Sequence, residues 1–238
     1  MAEFDVFAAG YEESLDHSVR IAGDTFDYFA SYKAAYIACN IAPRGPGKIL
    51  DYGCGVGLLS RHLRDRMPGK RVDGFDVSAE SIARVDRDLL SQGIFTSDLG
   101  EVGHAYDVVV LANVLHHVKP SERQDLICQA VSRLSPGGKL VVFEHNPLNP
   151  LTRWVVSQCV FDGDAILLYP RETRRYFRKQ ALERLRRKYV VFFPNWLRWF
   201  RPLEPLLAWC PLGAQYAMVA TNPSAQSENP FKQPLLSL

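Results

Sequence analysis

A chain of 238 residues, 47% hydrophobic and 23% charged, has an ordinary globular composition and can bury one core without metal or disulfide support. The formal net charge of +2 gives no overall reason to expect nucleic acid, and no apolar run approaches the roughly 18 residues of a membrane span. The acidic N-terminus lacks the order of a signal peptide, and the five cysteines include no C-x-x-C pair. We therefore expect a cytoplasmic protein without a zinc site or a disulfide framework.

Strands and helices alternate along the first part of the chain. After a helix over roughly Phe26–Asn40, the pattern predicts strands in "KILDYG", "RVDGFDVS", "IFTSD", "YDVVVLANVL" and "KLVVFEHN", in that order. Helices are predicted between them, over about 58–67, 78–93 and 120–134. This alternation requires parallel pairing with right-handed crossovers, and the continuously apolar strands indicate cover on both faces. The sequence thus predicts a doubly wound α/β fold.

The last third of the chain is less regular. Residues 171–188, "RETRRYFRKQALERLRRK", contain nine Lys or Arg against two Glu and place Phe177, Ala181 and Leu185 on one helical stripe, so one basic helix is expected there. The runs "KYVVFF" and "QYAMVATN" are expected to pair as antiparallel strands at the sheet edge. Residues 224–238 have the composition of a flexible tail.

Two segments near the C-terminus leave several interpretations open. The basic helix fits a solvated face best, but RNA, acidic membrane lipid or an acidic protein partner are alternatives. The segment "PNWLRWFRPLEPLLAWCPLG" combines three tryptophans with leucines and fits a lid, a dimer surface, an interfacial membrane anchor or a cover packed on the sheet. Packing or dimer contact is the preferred interpretation.

Three glycines follow the first predicted strand, in "DYGCGVG". Gly53, Gly55 and Gly57 let the backbone bend sharply and approach a ligand closely, beside the first N–H groups of a helix. A dinucleotide site would need the spacing G-x-G-x-x-G, and Asp51 would repel a pyrophosphate but attract a cation. The pattern therefore favours a cationic ligand over a dinucleotide, which leaves an oxidoreductase as a weak alternative.

Four motifs, in order over about 49–144, resemble those of the class I S-adenosylmethionine-dependent methyltransferases. "ILDYGCGVG" resembles the glycine-rich motif I, "GFDVS" the acidic end of the second strand, "TSD" the acidic position of the third, and "YDVVVLANVLHHV" motif IV; "LSPGGKLVVFE" resembles the turn and strand that follow. The resemblance implies a mostly parallel seven-stranded sheet with an antiparallel last strand. It implies one domain over 1–223, with a helical lid over 1–45 and acceptor-site elaborations over 146–212.

The resemblance also implies S-adenosylmethionine as cofactor, with S-adenosylhomocysteine as product. It assigns Asp76 to the ribose hydroxyls and Asp98, with Ser97 beside it, to the adenine amino group. Carboxylates at successive strand ends can accept such hydrogen bonds, each contributing about 1.5–3 kcal/mol. The expected cofactor-binding residues are Asp51, Gly53, Cys54, Gly55, Gly57, Asp76, Val77, Ser97, Asp98 and Asn113.

Methyl transfer from a sulfonium is an in-line displacement that needs a general base only when the acceptor is protonated. His116 and His117 directly follow the fourth strand and are the candidate catalytic residues, although packing and solvated roles also fit them. Tyr28, Tyr32 and Lys33 recur at helical spacing and are expected to be core and edge residues. The expected acceptor-site residues are Tyr11, Glu144, His145, Arg153 and Arg171.

Methyltransferases that act on adenine or glutamine amines resemble one another in an Asn/Asp-Pro-Pro-aromatic box after the fourth strand. In this chain "NVLHH" occupies that place, and it resembles the small-molecule enzymes instead. The leading hypothesis is a methyltransferase that acts on O or N of a small aromatic, heterocyclic or glycosyl metabolite, as a monomer or homodimer, with no metal and no nucleic acid. A lipid or quinone methyltransferase at a membrane surface and a non-catalytic cofactor-binding partner protein are the alternatives.

Overall fold

A seven-stranded sheet organises the computed structural model, which describes residues 25–42, 45–159, 163 and 165–223. Its strand order is β3-β2-β1-β4-β5-β7-β6; the first five strands pair in parallel, and β7 runs antiparallel to both β5 and β6. The predicted doubly wound fold with an antiparallel last strand is confirmed. The strands are β1 Gly47–Tyr52, β2 Lys70–Phe75, β3 Phe95–Thr96, β4 Tyr106–Ala112, β5 Leu134–His145, β6 Glu183–Val190 and β7 Gln215–Thr221.

Helices cover both faces of the sheet. Because successive residues of a strand point to opposite faces, Val108 and Val110 of β4 pack with α1 and α2, whereas Val109 and Leu111 pack with α5 and α7. α1 spans the predicted range, and the Thr25 side chain caps it by accepting a hydrogen bond from the Tyr28 N–H at 3.2 Å. The helices are α1 Phe26–Asn40, α2 Leu58–Arg66, α3 Ala79–Ile82, α4 Arg87–Leu90, α5 Arg123–Ser132, α6 Pro150–Gln158, α7 Pro170–Lys179 and α8 Glu204–Leu207.

The single helix predicted over 78–93 is divided in two, α3 and α4. Ser78 caps α3 as expected, but the Asp86 side chain accepts a hydrogen bond from the Asp88 N–H at 2.9 Å and starts a second helix. Aspartate is a strong N-cap residue, so it favours a new helix start over continuation of the old one.

The prediction of a single basic helix over 171–188 is wrong. α7 ends at Lys179, the backbone turns at Ala181 with φ of 52°, and β6 begins at Glu183. β6 pairs antiparallel with β7 from Glu183 onward. The observed strand therefore starts five residues before the predicted strand "KYVVFF". Pairing buries Tyr189 and Val190, while the basic side chains before them remain exposed at the sheet edge. Burial against a neighbouring strand therefore overrides the helical stripe.

The tryptophan-rich connection between β6 and β7 leaves its tryptophans exposed instead of packing them on the sheet, which corrects one of the two preferred interpretations. It forms a 3₁₀ segment, Asn195–Leu203, followed by α8. Trp196, Trp199 and Trp209 are 74%, 79% and 76% exposed. Glu204 is buried below them, and its carboxylate accepts hydrogen bonds from the N–H groups of residues 192 and 193 at 3.0 and 3.1 Å. Across the described ranges, no helix is both long enough and apolar enough to cross a membrane.

Candidate active site

A cavity of about 430 Å³ lies where β1, β2, β4 and β5 end and β7 begins. In doubly wound sheets ligands bind at this carboxyl edge, and the volume lies within the range of small-molecule sites. The side chains of α1 form one wall of the cavity, and those of α6 form another. The sequence therefore brings its glycine turn, its strand-end carboxylates and its histidines to one place.

The glycine turn is pressed closely against the neighbouring strand ends. The N–H groups of Gly53 and Cys54 both donate to the Phe75 carbonyl, at 2.7 and 3.0 Å. Gly53 has φ of 86°, and a Cβ at this position would lie 2.4 Å from a methyl carbon of Val114. A side chain is therefore excluded both by the backbone conformation and by the space. Gly55 and Gly57 also have positive φ, of 53° and 84°.

The carboxylate of Asp51 is 1% exposed and only half satisfied. Its Oδ2 accepts a hydrogen bond from the Ser60 hydroxyl at 2.7 Å, whereas Oδ1 has no hydrogen-bond partner among the described residues. Burial raises the pKa of Asp51 to about 6, and the bond from Ser60 offsets this only in part. A buried acceptor without a partner on a cavity wall fits a ligand with an amino group or a positive charge.

The carboxylate of Asp76 holds the glycine turn in place. Its Oδ2 accepts from the Gly55 N–H at 2.7 Å and its Oδ1 from the Ser78 N–H at 2.9 Å. Burial raises the pKa of this group, and the two N–H donors counter the effect. Because a carboxylate has about four acceptor positions, Asp76 retains capacity for ligand hydroxyls.

Lys33 is a site residue that the sequence analysis missed. It lies on α1, is 8% exposed and lines the cavity, where its Nζ donates to Asn113 Oδ1. Burial lowers its pKa to about 8, although the carboxylates of Glu144 and Asp51 favour the charged form. The spacing of Ala30, Lys33, Ala34 and Ile37, the buried residues of α1, could have identified it, since it places a lysine on the buried stripe.

Glu144 stands behind the cavity wall, where it fixes His116. Its Oε1 accepts from the Leu115 N–H at 2.7 Å and its Oε2 contacts His116 Nδ1 at 2.5 Å. Burial alone would raise the pKa of Glu144, but the charge and hydrogen bond of His116 bring it below its ordinary value. An ionised carboxylate can only accept, so His116 Nδ1 carries the proton. Glu144 does not line the cavity, whereas His116 does.

Three histidines form a cluster on the cavity wall. The ring centroid of His116 lies 4.1 Å from that of His117 and 5.1 Å from that of His145. All three residues line the cavity. In the described part of the chain, no group of three or more His, Cys, Asp or Glu is arranged to hold a metal ion.

Other expected cofactor residues lie at different distances from this cavity. Cys54 lines it, and burial raises the pKa of its thiol well above the ordinary value. Val77 lies at the rim, 64% exposed. Ser97 and Asp98 are outside the lining; the Asp98 side chain accepts from the Gly100 N–H at 2.7 Å and caps a 3₁₀ turn.

The expected acceptor residues are also divided. His145 lines the cavity, whereas Arg153 on α6 and Arg171 on α7 are exposed and do not. Tyr11 and residues 224–238 lie outside the described residues. Gln215 was not foreseen; it is 5% exposed, lines the cavity opposite His145 in the β5–β7 pairing, and its Oε1 has no hydrogen-bond partner among the described residues. Its position at the start of the predicted antiparallel strand is the sequence feature that could have indicated its place at the cavity.

The sheet order, the glycine turn and the carboxylates at the ends of β1 and β2 are those expected of an α/β methyltransferase fold. The family model described as "Methyltransferase domain" matches residues 27–189, and the chain belongs to this family. The expectation of a methyltransferase is thereby confirmed.

Curated relatives match only part of their own length. An uncharacterized methyltransferase of Staphylococcus carnosus is 29% identical over 120 residues, which are 50% of this chain and 56% of that protein. The ribosomal RNA small subunit methyltransferase C of Salmonella newport is 32% identical over 108 residues, 42% of this chain and 32% of that protein. This chain therefore spans between about a third and just over half of these relatives.

A solved structure shows the same fold over most of both chains. Magnesium protoporphyrin IX methyltransferase from Synechocystis PCC 6803, with bound S-adenosylhomocysteine, is similar with a TM-score of 0.58 and 17% identity. The match covers 87% of this chain and 86% of that one. It confirms the fold expected from the motifs.

Proposed function

We propose that the protein binds S-adenosylmethionine in the cavity and transfers its methyl group to O or N of a small, largely apolar organic acceptor. This proposal is supported most directly by one observation: a single cavity is lined on one side by the glycine turn with its carboxylates and on another side by apolar side chains. A cofactor with a cationic, hydroxyl-rich body fits the first part, and an apolar acceptor fits the second.

The cofactor side is formed by the ends of β1 and β2. Asp51 Oδ1, which lacks a partner among the described residues, would accept from the amino group of the cofactor, and Asp76 from its ribose hydroxyls. Gly53, Cys54 and Gly55 allow close approach of the backbone, with Val77 at the rim. When bound, the cofactor supplies an electrophilic methyl group on a sulfonium.

The acceptor side is formed by α1, α6 and the residues after β6. Phe29, Leu151 and Phe192 provide apolar contact, which suits an aromatic or heterocyclic acceptor better than a glycosyl one. Gln215 Oε1 would accept a hydrogen bond from the O–H or N–H of the acceptor. Because β4 and β5 separate β1 from β7, Asp51 and Gln215 lie about 14 Å apart across three strand spacings.

Proton removal would fall to a histidine between these two ends. His117 lines the cavity just beyond β4, which is next to β1 in the sheet. Both His116 and His117 line the cavity and are candidates for the general base; Glu144 holds the Nδ1 proton of His116, which leaves Nε2 as the basic nitrogen of that ring. Lys33 and Asn113 keep a positive charge beside the carboxylates and orient the end of β4.

Calorimetric titration with S-adenosylhomocysteine, run beside NAD, tests the cofactor assignment. We expect micromolar binding of the thioether and none of NAD. Asp76→Ala should weaken binding at least tenfold, because one charge-assisted hydrogen bond is lost. Asp76→Asn keeps one acceptor, for the Gly55 or the Ser78 N–H, and removes the charge, so it should also weaken binding; urea unfolding of both Asp76 variants measures damage to the turn, and the exposed Asp125→Asn serves as control. NAD binding without thioether binding would overturn the assignment.

Release of S-adenosylhomocysteine in the presence of phenols, heterocyclic amines or ribosomal RNA tests the acceptor class. Turnover with a small molecule is expected, with Gln215→Leu raising KM and His117→Ala lowering kcat, while neither changes the affinity for the thioether. Turnover with RNA alone would contradict the proposal and favour the activity named for the Salmonella relative.

A further inference from the structure

The apolar side chains exposed on residues 148–154 and 196–212 form what we call the tryptophan surface. It includes all four tryptophans of the chain: Trp154 is 50% exposed, and the other three are 74–79% exposed. Leucines and a phenylalanine of the same two segments are 45–71% exposed. Monomeric proteins rarely expose this many large apolar side chains together without a partner for them.

Hydrogen bonds join the start of the first segment to the end of the second. Asn149 Nδ2 donates to the Leu212 carbonyl at 2.6 Å, and Asn146 Nδ2 donates to the carbonyls of Pro211 and Gly213 at 2.9 and 2.8 Å. Below the surface, the buried Glu204 carboxylate anchors α8 to the end of β6. The exposure of the tryptophans is therefore part of the fold, not of a loose chain.

The tryptophan surface borders the mouth of the cavity. Leu151 is 59% exposed and at the same time lines the cavity. Asn149, which joins the two segments, also lines it, as does Pro194 immediately before the 3₁₀ segment. A molecule that covers this surface would therefore cover the entrance used by an apolar acceptor.

The charge of the tryptophan surface is positive. Arg153 and Arg198 are exposed, and the Arg201 guanidinium lies 3.9 Å from the centre of the Tyr28 ring. The sole carboxylate within the two segments is that of Glu204, which is 5% exposed and turned inward. Tryptophan and leucine flanked by arginine, without exposed acid, suit the boundary between anionic headgroups and acyl chains.

A second copy of the chain fits less well. A two-fold symmetric contact would bring the arginines of both copies together without an exposed carboxylate to pair with them. We therefore propose that the tryptophan surface docks on an anionic lipid bilayer and presents the cavity mouth to it, so that an apolar acceptor enters from the membrane. The docking does not depend on methyl transfer, whereas the route of the acceptor rests on the proposed function.

Intrinsic fluorescence tests the docking directly, because every tryptophan of the chain lies on the surface in question. The probes are phosphatidylcholine vesicles with and without phosphatidylglycerol. We expect the emission to move to shorter wavelength, and brominated acyl chains to quench it, with the anionic vesicles only. In co-sedimentation, Trp196→Ala/Trp199→Ala should lower the bound fraction at least tenfold. Arg198→Glu should lower affinity about fivefold or more, following the usual contribution of a basic residue at an anionic surface.

Arg87→Glu is the matched control, because Arg87 is also exposed and lies on α4, before the strand at the opposite edge of the sheet. It should bind vesicles as the wild type does. Absence of a lipid-dependent shift overturns the docking, as does a shift that follows protein concentration, which would indicate a second copy. Titration with S-adenosylhomocysteine on the same variants keeps the proposals separate: retained affinity without vesicle binding refutes the docking alone.

Discussion

The buried carboxylate of Asp51 makes the stability of the protein depend on pH, and Asp51→Asn is the substitution that reveals it. The side chain is 1% exposed, and its pKa rises from an ordinary 3.8 to about 6. A folded-state pKa above the unfolded value means that the folded chain holds the proton more tightly, so stability falls as pH rises through this range. Between acid and neutral pH, the raised pKa lowers the unfolding free energy by about 3 kcal/mol, and about half of this loss occurs above pH 5.

Urea unfolding of the wild type and Asp51→Asn, at pH 5 and at pH 7.5, measures this quantity. Between the two conditions the wild type should lose about 1.5 kcal/mol of unfolding free energy relative to the variant. Ionisable groups that Asp51 does not influence contribute equally to both proteins and cancel, and any lost hydrogen bond adds an offset that does not change with pH. Asp125→Asn, on the exposed face of α5, should follow the wild type. A constant difference between wild type and Asp51→Asn would refute the assignment of a buried charge.

Two further predictions concern the turn and the wall of the cavity. Gly53 and Gly69 share φ of 86°, but only at Gly53 would a Cβ meet another atom within 4 Å. Gly69→Ala should therefore cost about 1–2 kcal/mol in urea unfolding, and Gly53→Ala more, with loss of thioether affinity; equal costs would contradict the close approach. Glu144→Gln should cost about 3 kcal/mol at neutral pH, because the buried pair with His116 loses its negative charge and one of the two carboxylate acceptors. Because the pKa of Glu144 is lowered in the folded protein, the ionised carboxylate stabilises the fold at pH values above the ordinary carboxyl pKa. This stabilisation is lost as the pH falls through the folded-state pKa. A cost no larger than that of the exposed Glu122→Gln would exclude the pair as a stabilising contact.

The cofactor side of the cavity could be predicted from sequence because its signals are local. Asp51 lies at the end of the first strand, Gly53 follows that strand directly, and Asp76 directly follows the second, so strand positions alone bring them to one edge. The acceptor side could not, since it depends on how distant elements pack. Gln215 reaches the cavity only through the pairing of β7 with β5, and Lys33 only because α1 packs beside the end of β4.

The basic segment shows a conflict between local and tertiary preferences. Phe177, Ala181 and Leu185 have the spacing of a helical stripe, and nothing near them in sequence opposes a helix. The competing structure is a strand whose partner, β7, begins at Gln215, beyond the range of any local pattern. For the tryptophan segment, packing on the sheet was one of the two preferred interpretations, and it fails because apolar composition predicts burial without showing what covers the side chains.

The position of β7 has a consequence for how the chain is completed during synthesis. β7 is the last strand in sequence but lies between β5 and β6, so β6 has no neighbour in the described sheet until residues 215–221 have been made. At about 5–20 residues per second, the ribosome leaves this strand waiting for a few seconds. Arg184, Arg186, Arg187 and Lys188 are exposed along it, and their mutual repulsion opposes pairing with another nascent chain. The basic run, whose sequence predicts a solvated helix face, thus places like charges along a sheet edge that is unfinished during synthesis.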